Sequence, residues 1–160
     1  MKVAGIIKNS VANGIGIRDV IFLQGCEHQC KGCHNPETWN KDDGIEINKY
    51  ELASQFLSSN NHMTISGGEP ILQYEEVIEY MKLVHSHEGK RFWLYTGFKI
   101  EELPPEMVTE LAKYVDVLVD GRFELEKKDL TLRFRGSSNQ RLIDLPKTVE
   151  ENKIVLWEDR

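Results

Sequence analysis

Long hydrophobic runs are missing from this sequence: uninterrupted aliphatic or aromatic stretches reach only four residues, as at Val20–Leu23 and Ile154–Trp157. A membrane-spanning helix needs about 20 apolar residues, and the opening MKVAGIIKNS has no extended apolar core of a secretory signal. The reading excludes a membrane partner and expects a cytoplasmic protein. Basic residues are also short, with 20 Lys and Arg against 26 Asp and Glu and a net charge of -6, so the electrostatic footprint of a nucleic-acid binder is missing. Cysteine is scarce and odd in number. The three cysteines all fall between Cys26 and Cys33, which argues against a disulfide framework and for ligands in a reducing compartment. Internal repeats and low-complexity tracts are absent as well. What is present is ample for one core: 160 residues, 40% of them apolar, predict a single domain over residues 1–160.

Short runs rich in β-branched or aromatic residues at Val20–Leu23, Met63–Ile65, Phe92–Tyr95 and Val115–Val119 predict strands buried on both faces. Helical periodicity lies between them at Lys49–Ser58, Tyr74–His85 and Pro105–Tyr114. Such alternation implies βαβ crossovers and a mainly parallel sheet, with ligand sites in the loops after the strands. About four βα units cannot close an eight-stranded barrel, so the expected class is α/β, a short open partial (βα) barrel. Beyond Asp120 the alternation decays, with a further strand expected at Lys153–Trp157.

The loop after the first of these strands reads Gly25-Cys26-Glu27-His28-Gln29-Cys30-Lys31-Gly32-Cys33-His34, a C-x3-C-x2-C spacing. Clustered thiolates select zinc or an iron-sulfur cluster. Structural zinc wants four protein ligands, with His28 or His34 as the fourth. A cubane held by three cysteines leaves one iron with an open position, which implies chemistry rather than structure. Both readings stand on spacing alone, including a binding module without catalysis; otherwise both histidines read as exposed loop residues. After the next strand comes Ser66-Gly67-Gly68-Glu69-Pro70. Two glycines allow close backbone approach and Pro70 stops the strand, exposing carbonyls beside a carboxylate, a combination suited to a cation. The third and fourth strands end in Tyr95-Thr96-Gly97 and Asp120-Gly121-Arg122, so four strand ends bring polar groups and glycines to one edge.

The cysteine motif, followed by His34-Asn35-Pro36-Glu37-Thr38-Trp39 and preceded by Asn13-Gly14-Ile15-Gly16-Ile17-Arg18, resembles the radical S-adenosylmethionine enzymes that activate glycyl-radical enzymes. The stretch Arg135-Gly136-Ser137-Ser138-Asn139-Gln140-Arg141 is similar to members that act on the anaerobic (class III) ribonucleotide reductase. The resemblance implies a 4Fe-4S cluster on Cys26, Cys30 and Cys33, and S-adenosylmethionine as cofactor. It implies no catalytic side chain beyond cluster and cofactor. Cofactor contacts would come from Gly32, Cys33 and His34, from Ser66, Gly67, Gly68 and Glu69 against the methionyl ammonium, from Thr96, and from Asp120 and Arg122 toward the ribose or carboxylate. Gly32 stands where the superfamily usually has an aromatic residue, so its contact would be through the backbone. The implied partners are the large subunit of the anaerobic reductase, or another glycyl-radical protein, and an electron donor such as flavodoxin or ferredoxin. Residues 123–147 form a tail in which Lys127, Lys128, Arg133, Arg135, Arg141 and Lys147 face two acids, Asp129 and Asp144, over 127–147. That asymmetry, with the resemblance, predicts a partner-contacting loop.

Overall fold

The computed structural model describes residues 1–33 and 36–159. Seven strands form one sheet among them: β1 (Lys2–Ser10), β2 (Arg18–Leu23), β3 (Ile45–Glu46), β4 (His62–Gly67), β5 (Phe92–Tyr95), β6 (Val115–Asp120) and β7 (Arg141–Asp144), in the order β3-β1-β2-β4-β5-β6-β7. The central strands β2, β4, β5 and β6 are parallel, and they are the four that the sequence predicts. Antiparallel pairing of β1 with β2 and β3, and of β7 with β6, makes the sheet mixed rather than mainly parallel. The helices are α1 (Lys49–Ser54), α2 (Tyr74–Glu88), α3 (Pro105–Leu111) and α4 (Leu145–Glu151). No helix of the described residues is long and apolar enough to cross a membrane.

Local chemistry sets these boundaries. The Asn48 side chain accepts the Glu51 N–H (2.9 Å) to cap α1, and Asp144 does the same for α4 through the Lys147 N–H (3.1 Å). Helix α2 carries Glu75 and Glu76 in its first turn and His85 and His87 in its last, the polarity its dipole favours. It stops at Gly89, which takes the left-handed conformation at φ 68° and returns its N–H to the His85 carbonyl.

The two faces of the sheet are covered differently. On one, Ile21, Leu23, Met63, Ile65, Phe92, Leu94 and Leu118 pack with helix residues such as Leu52, Tyr80, Met81 and Leu111 into the main core. On the other, Trp93, Val117 and Val119 form a smaller cluster closed by Phe134, Leu142 and Trp157, from the tail and C-terminal segment. Arg18 is buried on that face as well, lying over the Trp93 ring. Its guanidinium donates to the Thr64 hydroxyl and to the Met63 and Ile15 carbonyls. Burial pushes its pKa down to about 10, still charged at neutral pH. Loops rather than helices therefore roof this side, which leaves room for a cleft at the carboxyl ends of the parallel strands.

Candidate functional site

The cysteine loop leaves β2 and folds back on the segment after it. The Gly25 N–H donates to the Thr38 carbonyl (2.6 Å) and the Cys26 N–H to that of Trp39 (3.1 Å). A tight turn joins Cys30 to Cys33, and Gly32 within it sits at φ 77°. A Cβ on Gly32 would come 2.8 Å from Leu125 and 3.2 Å from Phe123. A side chain at this position is thus crowded out by a ring and a leucine from the tail.

Against this loop lies the end of β4. A Cβ on Gly67 (φ 121°) would fall 2.2 Å from the Leu23 nitrogen, and one on Gly68 would fall 2.4 Å from the Gly25 carbonyl oxygen. Side chains are excluded at both positions because the loop passes in direct backbone contact with the end of β2. The two segments are also bonded, Gly68 N–H to Leu23 O (3.0 Å) and Glu69 N–H to Gly25 O (2.7 Å).

Cys26, Cys30 and Cys33 line one cleft of ≈ 470 Å³ together with Ser66, Gly67, Gly68 and Thr96. The tail contributes to the same cleft through residues including Leu130, Leu132, Phe134 and Arg135. His28 lines it as well, whereas Gly32, Glu69, Asp120 and Arg122 do not. Glu69 is buried at 1% exposure, its carboxylate taken up by protein donors. Asp120 is equally buried, accepting the Ile100 N–H (2.8 Å) and two bonds from Arg141 (3.0 and 2.6 Å). Arg122 points to Glu102 and to His28 and is not paired with Asp120. Gly32 lies at the turn behind the thiols, and His34 falls outside the described residues. Trp39, which the sequence offers only as part of the motif, lines the cleft, and its buried indole N–H has no acceptor among the described residues.

Burial pushes the Cys26 and Cys30 thiols above the ordinary range. The His28 N–H for Cys26 and the Phe123 N–H for Cys30 work against that shift by stabilising thiolate. Without a cation the two thiols keep their protons at neutral pH; ligation would displace them.

The sequence of a 4Fe-4S single cluster domain matches residues 12–143, which takes in the cysteine loop, all four parallel strand ends and most of the tail. Anaerobic ribonucleoside-triphosphate reductase-activating proteins match over 81% of this chain: that of Escherichia coli K12 at 36% identity, covering 90% of its length, and that of Enterobacteria phage T4 at 39%, covering 85%. The Haemophilus influenzae protein of the same name is 34% identical, with 89% of its length covered. The chain belongs to this family. For a family carrying a single cluster, the donor set is apt: three soft thiols lining one cleft, together with an indole N–H that lacks an acceptor among the described residues. Among the described residues no group of three or more His, Cys, Asp or Glu side chains forms a site for a single metal ion. His28 is not available as the fourth ligand of a zinc site, because its Nε2 is held by Glu69 (2.7 Å) and its Nδ1 by Arg122 (3.2 Å).

Proposed function

We propose that this activating protein is a radical S-adenosylmethionine enzyme on an open partial (βα) barrel of that type, acting in the cytoplasm on the large subunit of the anaerobic ribonucleotide reductase. The observation that carries the reading is the meeting of all three thiols with Gly67, Gly68 and Thr96 in one cleft. Cys26, Cys30 and Cys33 would hold a 4Fe-4S cluster, three ligands for four irons. When bound, cluster and cofactor supply one-electron cleavage of S-adenosylmethionine and removal of a hydrogen atom from a glycine of the reductase, with electrons from a flavodoxin or ferredoxin. The chain's own residues bind, orient and exclude water. The backbone at Ser66–Gly68 offers carbonyls to the methionyl ammonium, since the Glu69 carboxylate is already engaged. Leu132 and Phe134 bring apolar surface to the cleft, which keeps solvent from reactive species. Asp120 and Arg122 act on this reading from outside the cleft, by fixing the loops that form it.

Anaerobic reconstitution tests this directly. The expected result is a brown protein with about four irons per chain that cleaves S-adenosylmethionine with dithionite and installs a glycyl radical, seen by EPR, on added reductase. Replacing Cys26, Cys30 or Cys33 by Ala should abolish cluster and cleavage while the circular dichroism spectrum persists. A colourless protein with one zinc would overturn the assignment.

A further inference from the structure

His28 sits midway between Cys26 and Cys30, flanked by exposed Glu27 and Gln29. Its side chain is only 7% exposed, contrary to the exposed loop residue that the sequence suggests. Arg122 Nε, which can only donate, points at Nδ1 (3.2 Å), so the ring proton lies on Nε2 and is given to Glu69 Oε1 (2.7 Å). The ring stands edge-on to Phe98 with centroids 4.6 Å apart. It also lies so close to Gly97 that a Cβ there would come within 2.6 Å of the imidazole.

The Glu69 carboxylate collects donors from separate parts of the chain. Oε1 accepts the Gly97 N–H (2.7 Å), Oε2 accepts the Ile71 N–H (2.9 Å), and the Thr96 hydroxyl lies within bonding distance of both oxygens. A carboxylate 1% exposed needs such donors in place of the water it has lost. His28 is the donor that arrives from the cysteine loop. Loss of it would leave the loop attached to the strand ends by backbone bonds, with a hole beside Phe98 and Gly97.

We propose that His28 is a positioning residue: through the buried Glu69 carboxylate it fastens the cysteine loop to the ends of β4 and β5, and so sets the thiols in register with the Gly67–Gly68 backbone. It holds no metal and moves no proton in the reaction. The part of the proposal that concerns cofactor geometry rests on the function proposed above; the fastening itself does not.

The test uses the full chain with His28→Ala and His28→Gln, the latter because a glutamine amide can place an N–H where Nε2 stands. In the cluster-free protein, amide hydrogen exchange over residues 25–33 and at Gly97 should quicken by about tenfold in His28→Ala, the size expected for one lost hydrogen bond to a charged group. It should return close to the parent rate in His28→Gln. In the reconstituted protein, iron content should be unchanged in both variants. The concentration of S-adenosylmethionine that perturbs the EPR spectrum of the reduced cluster should rise by about tenfold in His28→Ala and recover in His28→Gln. Unaltered exchange in His28→Ala overturns the proposal, as does loss of iron that His28→Gln does not restore. If the parent protein shows no response to S-adenosylmethionine while the exchange pattern is as expected, the proposed function fails and the fastening role stands.

Discussion

Asp19, at the start of β2 and at the opposite end of the sheet from the cleft, is fully buried, and among the described residues no cation lies within ion-pair distance of it. Burial alone would raise its carboxyl pKa, but the Ser59 hydroxyl, the Asn61 amide and the Asn9 N–H outweigh it and hold the group below the usual carboxylate range. A depressed value in the fold contributes stability that is present above the unfolded pKa of about 3.9 and is lost as pH falls through the folded value. Urea unfolding of the cluster-free protein at pH 7, 5 and 3 should therefore show stability declining on the acid side. In Asp19→Asn the decline should be shallower and the stability at pH 7 lower by about 1–3 kcal/mol; equal slopes for the two proteins would remove Asp19 from the acid response. At this scale the sequence exposes chemistry but not partners. Cys26, Cys30, Cys33, Gly67 and Gly68 are legible because their spacing and their position after strands are themselves the signal. His28 and Glu69 are 41 residues apart, and only the fold decides that one ring nitrogen meets one carboxylate oxygen. Asp120 misleads for the same reason, since its partner Arg141 lies in a segment that has no regular periodicity.

At the scale of elements, strands buried on both faces announce themselves and half-exposed ones do not. Phe92–Tyr95 is found where its apolar run places it. β1 carries Lys2, Gly5, Lys8 and Asn9 and is largely exposed, so its alternation is broken, with a register irregularity between Val3 and Gly5. The predicted C-terminal strand Lys153–Trp157 is reduced to a bridge between Leu156 and Ile143, flanked by bonds from Asp144 N–H to Val155 O and from Trp157 N–H to Leu142 O (both 2.8 Å). The segment nonetheless has a definite task. It sets Trp157 edge-on to Trp93 (5.2 Å) and Phe134 (6.3 Å). Phe134 lines the cleft with a positive φ of 66°, unusual for an aromatic residue, and its carbonyl accepts the Tyr95 hydroxyl (2.5 Å). Trp157→Ala should lower stability by about 1–3 kcal/mol, because the indole is half-buried rather than fully enclosed. Tryptic cleavage at Lys127, Lys128, Arg133 and Arg135 should accelerate in that variant and stay near the parent rate in Trp157→Phe. An unchanged digestion pattern in Trp157→Ala would show that the tail is held without the C-terminal segment.

Across the whole molecule, the basic tail is not the uniform charged face that composition suggests, because acids within it and from elsewhere meet several of its charges. Arg141 bridges Asp120 and Glu101 (both 2.6 Å), Arg133 pairs with Asp159, and Lys127 pairs with Glu124 (3.3 Å). Among the described residues no acid lies within ion-pair distance of Lys128, Arg135 or Lys147, and of these Arg135 lines the cleft. One run of sequence therefore divides into a structural tie, a cleft wall and an exposed charge, and charge reversal should separate the three. Arg141→Glu sets a second carboxylate against the buried Asp120 and should cost about 3–5 kcal/mol of stability, read by urea unfolding, before any effect on a partner. Arg135→Glu loses the guanidinium bond to the Gln140 carbonyl (2.5 Å), so it should lower stability by about 1 kcal/mol, less than Arg141→Glu, and impair cleavage of S-adenosylmethionine in the reconstituted protein. Lys128→Glu should leave both stability and cofactor cleavage intact, yet slow glycyl-radical formation on the reductase and alter its dependence on salt, as a charge at the rim of an interface does. If Lys128→Glu activates the reductase at the parent rate at low and high salt, Lys128 lies outside the contact and the tail serves the cleft alone.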